Sequence, residues 1–180
     1  RCCTQNGIRG GSATVHFPIW HQEIRDIIVL KNNKGTEDNR VRKLDYSIQL
    51  SALFYQRFID NEKITLFSPH DVAGLYDSFG TESFDDLYKK YELDESIPKT
   101  QVDAQELILD LLKERAETGR VYLMNIDHCN SHSSFTDKVE MSNLCQEITL
   151  PTKPIQHIDD KTGEIALCIL SAINVGKIRD

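Results

Sequence analysis

Asn143, Cys145 and Glu147 put an amide, a thiol and a carboxylate at alternate positions of one short segment, Ser142-Asn-Leu-Cys-Gln-Glu-Ile-Thr-Leu-Pro-Thr-Lys-Pro154. In an extended chain, residues two apart share a face. The three groups would then point together, and Leu144, Gln146 and Ile148 would point away. Two readings are open. A free cysteine usually packs as a small hydrophobe, which makes this a half-buried strand. Alternatively the sulfur is reactive, beside a carboxylate that can take a proton and an amide that can hold a hydroxyl. A carboxylate next to a thiol raises its pKa and works against a thiolate. The pattern therefore disfavours an ordinary cysteine nucleophile and leaves room for one-electron chemistry at sulfur. Leu150-Pro-Thr-Lys-Pro154 should end any regular ladder, because neither proline donates a backbone hydrogen bond. The cysteine is expected near the tip of an extended segment that runs into a stiff loop.

Three other stretches carry groups capable of chemistry. Gln5-Asn-Gly-Ile-Arg-Gly-Gly11 has three glycines in five residues, a loop of high backbone freedom. It fits neither the P-loop nor the G-x-G-x-x-G pattern. Arg9 there could reach a phosphate or stack on a base, or the stretch is a plain turn before a strand. Asp127-His-Cys-Asn-Ser-His132 offers His128, Cys129 and His132 as zinc ligands. No second Cys/His pair follows at a suitable distance, so hydrogen-bonded loop residues are expected and no metal site is assigned. Cys168 lies in the apolar run Glu164–Asn174, where core packing is the plain reading.

The elements that must position these groups alternate. Strands are expected at 13–17, 46–50, 64–67, 121–125 and 164–174, the second with apolar–polar alternation. Helices are expected at 20–30, 52–59, 68–79, 83–91 and 103–117. Ser68-Pro-His-Asp71 looks like a helix start, and Gly119 like a helix stop. Leu107, Leu111 and Leu112 should form the buried side of the last helix. Short strands alternating with amphipathic helices give an α/β fold.

The 180 residues suffice for one domain with a real core. A net charge of −7 argues against a nucleic-acid backbone as partner. No apolar run approaches the ~20 residues of a membrane helix. The five cysteines, Cys2, Cys3, Cys129, Cys145 and Cys168, are odd in number and irregular in spacing. That fits a reducing cytoplasm better than a secreted disulfide framework. The chain opens Arg1-Cys-Cys without an initiator Met or an apolar leader, and is read as a piece of a longer protein.

Several stretches then converge on one family. Gln5–Gly11, Val29-Leu-Lys-Asn-Asn33, Asn39-Arg-Val-Arg42, Leu66-Phe-Ser-Pro-His-Asp71, Asp127-His-Cys-Asn130, Ser142-Asn-Leu-Cys145, Leu150-Pro-Thr-Lys-Pro154 and Gly163-Glu-Ile-Ala-Leu-Cys168 together resemble the large, catalytic subunit of class I ribonucleotide reductase, in its bacterial aerobic form. The resemblance runs over residues 1–180 and covers a middle portion of a much larger subunit. It implies part of a ten-stranded α/β barrel of two half-barrels, with a central finger loop carrying a radical cysteine. It also implies reduction of ribonucleoside diphosphates to deoxyribonucleoside diphosphates. In that scheme Cys145 is the transient thiyl that abstracts the ribose 3′ hydrogen, Glu147 takes the 3′-hydroxyl proton, and Asn143 holds the hydroxyls. The backbone of Asn143, Leu144, Cys145, Gln146 and Glu147 lines the substrate. Cys168 resembles one half of the redox pair that reduces the 2′ position and ends as a disulfide, with its partner upstream of Arg1. Gln5–Ser12 resembles the specificity loop, with Gln5 and Arg9 on the substrate base. Cys2, Cys3 and Cys129 receive no role.

The resemblance further implies a metal-containing small subunit as radical source, thioredoxin or glutaredoxin as reductant, a homodimer of large subunits, and ATP and dNTP effectors. No cofactor is assigned to this chain itself. Alone, such a piece is expected to be inactive. Two alternatives stand beside this reading. One is a cysteine acyl-transferase, which needs a histidine beside Cys145 and an oxyanion hole. The other is a catalytically incomplete piece that serves only in assembly or binding.

Overall fold

Alternation in Tyr46-Ser-Ile-Gln-Leu50 produces a strand with one polar and one apolar face, and that strand is the centre of the fold. A computed structural model describes residues 4–153, 155, 157–164 and 171–178, with the side chains of Gln5 and Asn39 left out of the description. In chain order the elements are β1 (Thr4–Gln5), β2 (Arg9–Gly10), β3 (Thr14–Pro18), α1 (Ile24–Ile28), β4 (Asp45–Leu50), α2 (Ala52–Ile59), β5 (Lys63–Phe67), α3 (Leu75–Ser78), α4 (Phe84–Leu93), β6 (Lys99–Asp103), α5 (Ala104–Thr118), β7 (Val121–Asn125), α6 (Ile126–Ser131), β8 (Val139–Ser142) and β9 (Thr149–Pro151). The architecture is α/β, as expected.

β3, β4 and β7 form a parallel sheet in that order. β5 and β6 pair antiparallel, as do β8 and β9. The register of the parallel sheet aligns Val15, Tyr46 and Val121 in one row and Phe17, Ile48 and Leu123 in another. Their face packs into an apolar core with Trp20, Phe54, Phe79, Phe84 and Tyr88, whose rings meet edge-on in three pairs and tilted in three others. The opposite face carries the rows His16–Ser47–Tyr122 and Pro18–Gln49–Met124. Helices cover the apolar face, and the polar face is left for the β8–β9 hairpin. Among the described residues no helix is long and apolar enough to cross a membrane.

Several expected elements differ in extent. The 20–30 helix shrinks to Ile24–Ile28, because the Trp20 carbonyl accepts from Phe67 N–H and Gln22 N–H donates to the Phe67 carbonyl. Those groups are tied to β5 and cannot join a helix. The 68–79 helix is confined to Leu75–Ser78, since Gly74 adopts φ 73, a left-handed conformation that interrupts a right-handed helix. β6, Lys-Thr-Gln-Val-Asp, has no apolar run to announce it and forms because β5 supplies a pairing edge. In α5, Leu107 and Leu111 are buried but Leu112 is 43% exposed, being about 100° further round the axis than Leu111. Its C-terminal end follows expectation, with Gly119 at φ 62 closing the last turn on the Arg115 carbonyl, and at the other end Asp103 stands just outside the helix as its cap, its side chain accepting from Glu106 N–H. Of the expected 164–174 strand, Ile165–Leu170 lies outside the described residues. Ser171–Asn174 has no regular structure, and Glu164 makes an isolated bridge with Lys153.

One buried ion pair ties α2 to α4. The guanidinium of Arg57 meets both oxygens of Glu92 at 2.6 and 2.5 Å and lies over the Tyr88 ring at 5.1 Å. Thr65 Oγ1 donates to Glu92 at 2.6 Å, and the Arg57 side chain is only 9% exposed. Glu92→Ala would strand this cation away from water. It is expected to lower unfolding stability by about 3–5 kcal/mol in urea titration. A loss below about 1 kcal/mol, the value of a surface pair, would contradict this.

Candidate active site

The segment 143–148 is the loop of the β8–β9 hairpin, and its first half is a tight turn. Gln146 N–H donates to the Asn143 carbonyl at 3.2 Å, and Gln146 adopts φ 66. The Asn143 side chain folds inward. Its Oδ1 accepts from Ile148 N–H at 3.0 Å, while Asn143 N–H donates to the Ile148 carbonyl at 3.2 Å. Ser142 Oγ donates to the same carbonyl at 2.6 Å. The expectation of a single extended face for Asn143, Cys145 and Glu147 is thereby corrected. Asparagine competes with strand pairing by bonding nearby backbone, and here it closes a turn. Asn143 is buried, with Nδ2 lacking a partner among the described residues, whereas Cys145 and Glu147 are exposed at the tip. Pro151 ends β9, as a residue without a donor should.

The hairpin lies against the polar face of the parallel sheet. Thr14 Oγ1 donates to the Leu144 carbonyl at 2.6 Å. Gln146 Nε2 donates to Ser47 Oγ. Gln49 Nε2 donates to the Glu140 carbonyl at 2.5 Å, and Ser142 N–H approaches His16 Nε2 at 3.5 Å. Burial holds the His16 imidazole below its ordinary pKa, which keeps Nε2 an acceptor near neutrality. Tyr122 stands in the same row. Burial raises its phenol pKa, and the nearby Asp45 carboxylate adds to the rise. The sequence signal for this docking is the polar set Ser47 and Gln49 alternating through an apolar strand. It marks a polar face without saying what covers it.

The glycine stretch forms the β1–β2 hairpin, which sets Gln5 opposite Arg9. Asn6 and Gly7 both have positive φ, 51 and 73, and asparagine tolerates that region better than most residues. Arg9 is exposed. Cys168, like Cys2 and Cys3, lies outside the described residues. A cleft of about 370 Å³ opens beside the Cys145 turn, with Gln146 and Thr149 on the hairpin side and His128, Cys129 and His132 facing them. Cys129 packs partly against the core, and burial raises its thiol pKa. His132 Nδ1 lies 3.1 Å from the His128 carbonyl. Among the described residues no three His, Cys, Asp or Glu are placed to hold a metal. None of the described histidines is hydrogen-bonded to Cys145. A larger cleft, about 570 Å³, lies between the start of α2 and residues 127–138 and includes none of 143–147.

The family model described as "Ribonucleotide reductase, barrel domain" matches residues 1–180. The chain is similar to a ribonucleoside-diphosphate reductase subunit alpha of Haemophilus influenzae, 56% identical over 100% of this chain and 24% of that relative. It is 53% identical to the ribonucleoside-diphosphate reductase 1 subunit alpha of Escherichia coli K12, over 86% of this chain and 21% of the relative. The subunit alpha of enterobacteria phage T4 is 45% identical over 96% of this chain and 23% of its own length. The chain thus spans about a quarter of the length of the curated relatives it matches.

Proposed function

The chain belongs to the ribonucleotide reductase family, as barrel-domain sequence of the large subunit, and from that premise we propose that the protein it forms part of reduces ribonucleoside diphosphates to deoxyribonucleoside diphosphates by radical chemistry at Cys145. The observation that carries the proposal is the Asn143–Gln146 turn, which presents Cys145 and, just beyond it, Glu147 at one exposed hairpin tip. In this reading the hairpin is the finger loop of a ten-stranded barrel, and β3, β4 and β7 are part of its wall. Cys145, as a thiyl, takes the 3′ hydrogen atom of the ribose. Glu147 takes the proton of the 3′-hydroxyl on the same carbon, so the two groups must stand side by side. Asn143 is left with its Nδ2 to donate to a ribose hydroxyl. The backbone of Leu144 and Gln146 completes the substrate wall. The 2′-hydroxyl leaves as water, and two thiols, one of them Cys168, are oxidised to a disulfide. Gln5 and Arg9, opposite one another on the β1–β2 hairpin, read the base.

The same reading supplies the partners. The radical comes from a metal-containing small subunit, the electrons from thioredoxin or glutaredoxin, and specificity from ATP and dNTP effectors on a cytoplasmic dimer of large subunits. The test is dCDP formation from CDP by the full-length large subunit with its small subunit and a dithiol. Formation of dCDP that depends on the small subunit is expected. Its absence with every dithiol and every effector nucleotide would overturn the proposal.

A further inference from the structure

We propose that Thr14 and Ser47 are positioning residues for Cys145, clamping its turn from both sides onto rigid strands of the sheet. This rests on the reading of Cys145 as the sulfur that abstracts hydrogen. The turn's backbone–backbone bonds, Gln146 N–H to the Asn143 carbonyl and Asn143 N–H to the Ile148 carbonyl, are each 3.2 Å, and the Ser142 and Asn143 side chains tie only its far side, at Ile148. Two contacts from the sheet hold the residues that flank Cys145. Thr14 Oγ1 donates to the Leu144 carbonyl at 2.6 Å. That oxygen belongs to the planar peptide joining Leu144 to Cys145, so the bond sets the orientation of the plane from which Cys145 begins. On the other flank, Gln146 Nε2 donates to Ser47 Oγ. Gln146 holds φ 66, a conformation that costs a non-glycine residue and persists where surrounding contacts hold it. The residues immediately before and after Cys145 are thus each fixed to a different strand, β3 and β4, while Cys145 itself is exposed.

Neither hydroxyl is needed by the sheet itself. Thr14 and Ser47 use their backbones for the ladder, with Thr14 beside Asp45 and Ser47 between His16 and Tyr122. Ser47 is fully buried, and its hydroxyl accepts from Gln146 Nε2 across to the hairpin. Hydrogen transfer requires reacting atoms about 3–3.5 Å apart, and a misplacement of about 1 Å can lower the rate about 10²-fold. A turn tip held only by its own backbone would not keep that tolerance. Sites built on strands do. β3 also leaves directly from the glycine hairpin, with Thr14 five positions after Arg9.

The test uses the full-length subunit with its radical-supplying partner, CDP, and CDP deuterated at the 3′ position. Thr14→Val keeps the shape and removes the hydroxyl, and Thr14→Ser keeps the hydroxyl. For Thr14→Val, kcat is expected to fall about 10- to 100-fold, the scale of such misplacement. KM for CDP and the melting temperature stay at the parental values, and the 3′-deuterium isotope effect on kcat rises because hydrogen abstraction becomes slower than later steps. Thr14→Ser restores kcat and the isotope effect. Ser47→Ala gives the same pattern and carries the test if Thr14→Val does not fold. Parental kcat and isotope effect in the folded variants would overturn the proposal, as would a loss that follows the melting temperature with no change in isotope effect. Cys145→Ser, run alongside, separates the two failures. If it keeps turnover, the reading of Cys145 falls. If it is inactive while Thr14→Val and Ser47→Ala are parental, only the clamp falls.

Discussion

A full-length subunit carrying Cys145→Ser is expected to bind CDP with parental affinity and to form no measurable dCDP. The change replaces sulfur by oxygen at an exposed turn position, so neither cavity nor overpacking follows and stability should hold within about 0.5 kcal/mol. The chemistry is affected far more. A thiol gives up its hydrogen atom readily and the thiyl can take one back from carbon, so sulfur cycles within one turnover. An alcohol O–H bond is much stronger, and a one-electron oxidant matched to a thiol does not generate the oxygen radical. Nucleophilic chemistry would need a base beside Cys145. Here no described histidine is bonded to Cys145. Substantial dCDP formation by the serine variant would return Cys145 to an unreactive surface thiol, and the roles of Asn143 and Glu147 would fall with it. Binding is measured separately by equilibrium dialysis of CDP, so that a folding defect is not mistaken for a chemical one.

Glu147→Gln is the second large effect. It preserves shape and hydrogen-bonding capacity and removes the ability to take a proton. General base catalysis contributes about 10²–10⁴-fold, and kcat for CDP is expected to fall by that amount with KM little changed. Once the 3′ hydrogen atom has gone, the 3′-hydroxyl proton must leave as the 2′-hydroxyl departs, and a glutamine cannot accept it. Glu147 is exposed at the tip in this structure, next but one to Cys145. A Glu147→Gln subunit with kcat within threefold of the parent, far short of the general-base range, would show that another group or water takes the proton.

Much of the fold and of the site is legible in the amino-acid sequence, and the reasons are local. β4, β5, β7, α2, α4 and α5 follow from apolar periodicity and from caps such as Asp103 and Gly119, whose effects reach only one turn along the chain. The grouping of thiol and carboxylate two positions apart is likewise local, and it marks Cys145 and Glu147 as the pair of interest. Other features depend on groups far away in the chain. Trp20 and Gln22 are held out of a helix by hydrogen bonds to Phe67, and β6 exists because β5 offers an edge. Asn143 illustrates the limit best. Its spacing places it with Cys145 and Glu147 on an extended face, but its amide finds the Ile148 backbone and folds the segment into a turn. Residue types and their spacing are enough to establish the α/β class and the family and to single out Cys145 and Glu147 as candidates, because each is written in neighbours along the chain. The docking of the Cys145 turn on Thr14 and Ser47, 130 and 99 residues distant from their partners, is set only when parallel pairing brings β3 and β4 together and turns their polar face toward the hairpin.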